Sequence, residues 1–192
     1  MTTGSYQFPA HRIARHGTIR PIARGVERVY RTGHLGVSLL VFAPIGYLFL
    51  AAGEPLAAVV TGGTMLWLSM LPDVDHRIPG VPHRGPTHSL LFAVLVGVAF
   101  AGAGAMLAEG LGIGDRALLP THGFFLGFVT VGAHLLGDVL TPAGVNLFWP
   151  WGREFSLSLT RADSTIANYG LFLGGVFTVA ALGALTLQGL PA

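Results

Sequence analysis

The sequence predicts an all-α, polytopic membrane protein with about five transmembrane helices, and three observations predict it. Charged residues make up 10% of the 192 positions, where a soluble domain carries roughly a quarter. Hydrophobic residues reach 52% and the mean hydropathy is +0.63, a surplus that lipid rather than water must solvate. Five apolar runs each approach the roughly 20 residues needed to cross a hydrocarbon core. The same composition excludes disorder, collagen and a nucleic-acid-binding tail, and no direct nucleic-acid binding is expected. Cysteine is absent, so disulfide frameworks, Cys-based zinc fingers, iron–sulfur sites and cysteine nucleophiles are excluded. Any metal must be held by His, Asp and Glu.

Residues 1–31 read as a basic N-terminal cytoplasmic segment. All eleven basic residues are arginines, and six of them (Arg12, Arg15, Arg20, Arg24, Arg28, Arg31) precede the first apolar run. Beside a bilayer such a cluster reads as attraction to anionic headgroups or as a topology signal. Arg20, Arg24, Arg28 and Arg31 fall at helical spacing, with Ile22, Val26 and Val29 on another side, which predicts a surface-lying amphipathic helix entered at Pro21. His11 and His16 read as solvated.

Residues 32–192 read as one helical membrane domain. Its runs extend from Leu35 to Ala52, Leu56 to Leu71, Leu90 to Ala108, Leu118 to Leu140 and Tyr169 to Leu187. The first ends in a stretch resembling a signal-peptide cleavage site, but 34 residues precede it, so it reads as a retained span. The second is short and broken by glycines. The fourth carries His122, His134 and Asp138. With the N-terminus inside, ten arginines fall on inner segments and Arg116 alone on an outer one, which predicts a multi-pass protein of the inner, cytoplasmic membrane with its N-terminus cytoplasmic.

This topology sorts the polar residues. Leu71 to His76 leaves the inner end of the second span, His83 to Ser89 enters the inner end of the third, and His34 opens the first. His134 and Asp138 are four residues apart, hence on one helix face about 6 Å apart along the axis. His34, Asp73, Asp75, His76, His83, His88, His134 and Asp138 are therefore expected to converge on one membrane face. His122 lies about 18 Å from His134 by helical rise and is excluded.

Imidazoles and carboxylates together suit zinc, manganese or iron, and an Asp can bridge two ions. Two metals about 4 Å apart can acidify a water and polarise a phosphoryl or carbonyl oxygen, the recipe for hydrolysis. Blander roles compete. Asp73 and Asp75 would also cap a span at headgroup level. His134 and Asp138 would also serve as an interhelical hydrogen-bonded pair. His34 would also sit as an interfacial histidine, and His76 and His83 as loop residues in water. Eight such accidents on one side are not expected together.

Four stretches carry a family resemblance: Gly33-His34, Leu71 to His76, His83 to Ser89, and Ala133 to Val145 followed by Trp149-Pro150. Together they resemble the YdjM-type membrane-bound metal-dependent hydrolases, also described as LexA-binding inner-membrane-associated proteins. More distantly, Pro72-Asp73 and the His134/Asp138 pair are similar to motifs of the zinc-dependent phospholipase C and P1 nuclease group. The resemblance implies a hydrolase of a phosphoester at the cytoplasmic membrane face, with membrane lipids around it, a phosphoester or lipid as substrate, and a cytoplasmic regulatory protein as partner. Asp73, His88, His134 and Asp138 are the expected ligands of a divalent metal, zinc ahead of Mn or Fe. His34, Asp75, His76 and His83 would complete a second ion or support the first. Asp73, Asp75, His88 and Arg84 are the expected catalytic group, Arg84 holding an anionic part of the substrate. The alternatives are a non-enzymatic protein that transports or senses a metal ion or proton, and an anchor for a cytoplasmic regulator.

Overall fold

A computed structural model of the chain describes residues 24–81, 83–113 and 116–189. Its helices are α1 (Arg24–Ala51), α2 (Pro55–Trp67), α3 (Leu90–Gly110), α4 (Leu118–Val139) and α5 (Thr165–Gly189), with short 3-10 turns at Pro72–Arg77 and Pro86–His88. Among the described residues, five segments are long and apolar enough to cross a membrane, the second being α2 together with the turns that follow it to Arg77. The fold is the all-α bundle that the composition predicts.

Boundaries differ from the apolar runs for local reasons. The second run continues to Leu71, but α2 stops at Trp67. Pro72 has no N–H and its ring would clash with the carbonyl four residues earlier, so the chain tightens into turns before it. α3 starts sharply because the Ser89 Oγ accepts the Phe92 N–H at 3.2 Å. α5 begins four residues ahead of its run, since the Ser164 Oγ caps it by accepting the Ala167 N–H at 3.3 Å. The helix expected to open at Pro21 falls partly outside the described residues, as do His11 and His16. From Arg24 its residues run unbroken into the first span.

Lipid offers helices no hydrophobic reason to associate, so close backbone approach must hold them together. α3 and α4 meet through glycines: a Cβ at Gly104 would collide with the Leu119 carbonyl, and one at Gly123 with the Phe100 carbonyl. Gly123 and Gly127 form a small-xxx-small pair on the face that receives α3. α1 and α5 pack the same way, with Gly36 against the Leu171 backbone and Gly175 against the Gly36 carbonyl. The outward side chains, Leu95, Met106, Phe177 and Leu187 among them, are more than half exposed, as lipid-facing residues must be.

Two apolar clusters fill the interior: Ala93, Val131, Leu135 and Val145 between α3, α4 and the loop beyond, and Met65, Leu126 and Ala133 between α2 and α4. They close off the polar end of the bundle. The carbonyls that end α4 are taken up by the returning chain, Leu157 N–H donating to Val139 O at 2.7 Å and Leu159 N–H to Leu140 O at 2.9 Å.

Candidate metal centre

All eight residues expected to converge meet at one end of the bundle. His34 comes from α1, Asp73, Asp75 and His76 from the first 3-10 turn, His83 from the following loop, His88 from the second 3-10 turn, and His134 and Asp138 from α4. The innermost set is Asp73 Oδ1, His88 Nε2, His134 Nε2 and Asp138 Oδ2. His88 Nε2 lies 3.2 Å from Asp73, 3.3 Å from His134 Nε2 and 3.5 Å from Asp138. His134 Nε2 lies 3.5 Å from Asp73 and 3.4 Å from Asp138.

The partners on the far sides of the rings decide what this nest can hold. His134 Nδ1 is 2.7 Å from the Ser69 carbonyl, which can only accept, so Nδ1 carries a proton and the neutral ring presents a lone pair at Nε2. His88 Nδ1 is 3.0 Å from the Thr87 Oγ1, whose proton goes to Asp75 Oδ2, so Nδ1 is the donor there too, with the same consequence. Two imidazole lone pairs and two carboxylate oxygens thus point at one another, and Asp138 Oδ2 is buried with no hydrogen bond. Electron-rich atoms gathered this way call for a cation. Ligands at bond lengths of about 2.0–2.1 Å around one tetrahedral ion stand about 3.3–3.4 Å apart, and the separations of His88 and His134 from each other and from each carboxylate, 3.2–3.5 Å, match that spacing. His/Asp groups that could bind a metal ion are therefore present, and the donor set fits one.

Asp75 sits behind this nest. Fully buried, it accepts from the Thr87 hydroxyl at 3.0 Å and the Arg84 N–H at 3.3 Å, and pairs with His83 Nδ1 at 3.2 Å. Its oxygens are occupied, and through the Thr87 hydroxyl, which bridges to His88 Nδ1, it orients the His88 ring from behind. Burial pushes the His83 imidazole below its ordinary range, and the hydrogen bond to Asp75 opposes that shift. His76 is exposed and stacks on His83 with centroids 4.0 Å apart. Asp73, Asp75, His76 and His83 form a second, more open group within ligand reach of one another.

Arg84 does more than face outward. Its guanidinium donates to Asp138 Oδ1 at 2.8 Å, to Thr141 Oγ1 at 3.4 Å and to the Gly144 carbonyl. It thus holds Asp138 from the side opposite the nest, at a backbone φ of 61° that few non-glycine residues adopt. His122 stands apart as its helical position requires, bonded to the Thr61 hydroxyl at 3.1 Å and lining an apolar cavity of about 270 Å³ with Phe49, Met65 and Phe125.

A family profile described as "YdjM inner membrane protein" matches residues 30–190. The chain belongs to the YdjM family. Inner membrane protein YdjM of Escherichia coli (strain K12) is 36% identical over an alignment covering 47% of this chain and 49% of the relative. The protein of the same name from Shigella flexneri gives the same figures. The chain thus spans about half the length of the curated relatives it matches. No solved structure matches it. With the five spans, these findings make it a multi-pass inner-membrane protein. The more distant likeness to the phospholipase C and P1 nuclease group gains no support from them.

In this YdjM-family chain each of the four stretches that carry the resemblance delivers a side chain to the cluster. Three contributors escape the sequence reading: the Ser69 carbonyl, Thr87 and Gly137. Thr87 and Gly137 lie inside the resembling stretches, at positions between ligand-type residues. A backbone carbonyl such as that of Ser69 leaves no trace in residue identity.

Proposed function

We propose that this YdjM-family protein is a membrane-bound hydrolase that uses a divalent metal, zinc ahead of Mn or Fe, to cleave a phosphoester at the cytoplasmic face. The observation that carries the reading is the nest of two Nε2 lone pairs and two carboxylate oxygens, with Asp138 Oδ2 buried and unpartnered. Asp73, His88, His134 and Asp138 would hold the ion. When bound, it supplies Lewis acidity toward a phosphoryl oxygen and a water activated near neutral pH.

The chain's own residues supply orientation and access. Asp75 fixes the His88 ring through the Thr87 hydroxyl, the Ser69 carbonyl fixes His134, and Arg84 fixes Asp138. Of the four residues that would hold the ion, Asp73 is the nearest to solvent, its side chain 22% exposed against 5% for Asp138 and 0% for both histidines, so substrate approaches over Asp73. Arg84, once bonded to Asp138, adds positive charge beside that approach, which suits an anionic ester. The cytoplasmic placement rests on the arginines, ten of which fall on the site's side of the membrane. A soluble substrate and a lipid substrate both fit this chemistry.

The test is turnover of phosphomonoesters and phosphodiesters by the purified, metal-loaded protein. Activity should disappear on chelation, return with added metal, and be absent in Asp138→Asn. Metal-loaded, folded protein that cleaves no ester but moves metal across proteoliposomes would replace this reading with transport.

A further inference from the structure

The chain between α4 and α5 contains Phe155-Ser156-Leu157-Ser158-Leu159, a strict alternation of apolar and polar residues. Such a pattern normally turns its apolar face into a protein core. Here the apolar side chains stay outside: Phe155, Leu157 and Leu159 are 40%, 58% and 71% exposed. The serines, exposed as well, are held by hydrogen bonds, the Ser156 Oγ donating to the Thr141 carbonyl at 2.6 Å and lying 2.9 Å from the Ser158 Oγ. Phe148, edge-on to Phe155, and Trp151 extend the same exposed apolar patch.

The segment's depth is set by its hydrogen bonds. Leu157 and Leu159 are tied to the Val139 and Leu140 carbonyls at the end of a membrane span. Six residues on from Leu159 the chain enters α5, the fifth span, whose first turns expose Ile166 and Tyr169. The apolar patch is therefore continuous with the lipid-facing surface at both ends. Trp and Tyr rings at such a level, here Trp151 and Tyr169, are characteristic of the boundary between headgroups and acyl chains. Immediately beyond Leu159, residues Thr160, Arg161 and Ala162 line a narrow cleft with Gly33, His34 and Asp138, so the patch borders the metal centre.

We propose that residues 155–159 form a strap that inserts Phe155, Leu157 and Leu159 into the leaflet at the site's end of the bundle, and that the centre takes its phosphoester from a lipid of that leaflet. The second half rests on the hydrolase reading; the first does not. A lipid standing against the strap has its phosphate at the level of the cleft and its chains on the apolar patch, with no need to leave the bilayer.

Single cysteines in this Cys-free chain test the strap. Nitroxide labels at Leu157→Cys and Leu159→Cys, in full-length protein reconstituted in phosphatidylethanolamine/phosphatidylglycerol vesicles, should be more accessible to oxygen than to an aqueous nickel chelate. A label at Ser158→Cys should show the opposite preference. Chelate access at 157 and 159 equal to that at 158 would overturn the proposal whatever the activity. For the supply of substrate, the Leu157→Asp/Leu159→Asp variant should keep its metal content while its hydrolysis of vesicle phospholipid falls at least tenfold relative to a soluble phosphodiester. An equal change on both substrates overturns lipid supply. Insertion at 157 and 159 with no turnover of either ester by metal-loaded wild type overturns the hydrolase reading and lipid supply together, and upholds the strap.

Discussion

The imidazole of His34 lies flat on that of His134, with centroids 4.0 Å apart and planes 6° from parallel. One ring belongs to α1 and the other to α4, so the stack fixes how close these spans come at the metal end. It is possible because position 137 has no side chain: a Cβ there would stand 2.6 Å from His34 Nδ1. His134 is thus held between the His34 ring on its face and the Ser69 carbonyl at its Nδ1.

Gly137→Ala should displace His34 and loosen His134, lowering metal affinity about tenfold or more, the usual consequence of losing support behind a ligand. An Ala in place of Gly otherwise favours an α-helix by roughly 1 kcal/mol, so a loss of metal could not be blamed on a weaker α4. Gly132→Ala is the matched control, since a Cβ there meets nothing within 4 Å. Metal content measured for both variants at equal protein yield decides it. Equal content in the two would remove the role assigned to His34.

Removing a ligand should act more strongly. His134→Ala and Asp138→Ala should purify with little metal, whereas His122→Ala, bonded to Thr61 at the far end of α4, should keep it. A bound ion stabilises the fold by about 2.7 kcal/mol at a hundred times its dissociation constant, so a chelator should lower the Tm of wild type and leave that of the ligand variants unchanged. A chelator-dependent shift of the same size in His134→Ala would show that the ion sits elsewhere.

The sequence made the spans legible because lipid exposure leaves long apolar runs, and made the cluster legible because ionisable groups are costly in spans and stand out there. What stayed hidden has a common physical character. The end of α2 at Trp67 depends on the backbone clash at Pro72, the residue just beyond the visible run. The start of α5 depends on a hydroxyl cap, and the tautomer of His134 on a main-chain carbonyl. Asp75 looks identical to Asp73 in the sequence. Only packing separates them, one carboxylate turned into a hydrogen-bonded hub and the other toward the opening.

Arg84 offers a sharper test of the positioning network. Its pair with Asp138 is largely buried, and removing one partner of such a pair costs on the order of 3 kcal/mol because the other charge stays uncompensated. Arg84→Ala should therefore lower thermal stability in detergent and weaken metal binding. Arg84→Gly removes the same side chain while accepting the φ of 61°, and should recover about 1 kcal/mol of the loss without restoring metal affinity. Full metal affinity in Arg84→Gly would show that Asp138 needs no partner to stay in place.

The orientation can be read directly. Arg77, beside the metal centre, and Glu109, in the last turn of α3 at the opposite end, are both exposed, so single cysteines there report the two faces of the membrane. Ten arginines against Arg116 alone predict that Arg77→Cys is protected from an impermeant thiol reagent in intact cells and that Glu109→Cys is labelled. Permeabilising the cells should expose Arg77→Cys, which separates a cytoplasmic position from a buried one. The opposite pattern would put the His/Asp cluster on the outer face, where its metal and substrate would have to come from outside the cytoplasm. It would also leave the arginine-rich segment before the first span on the side that such segments avoid, so inversion would demand a second explanation as well as a new site for the chemistry.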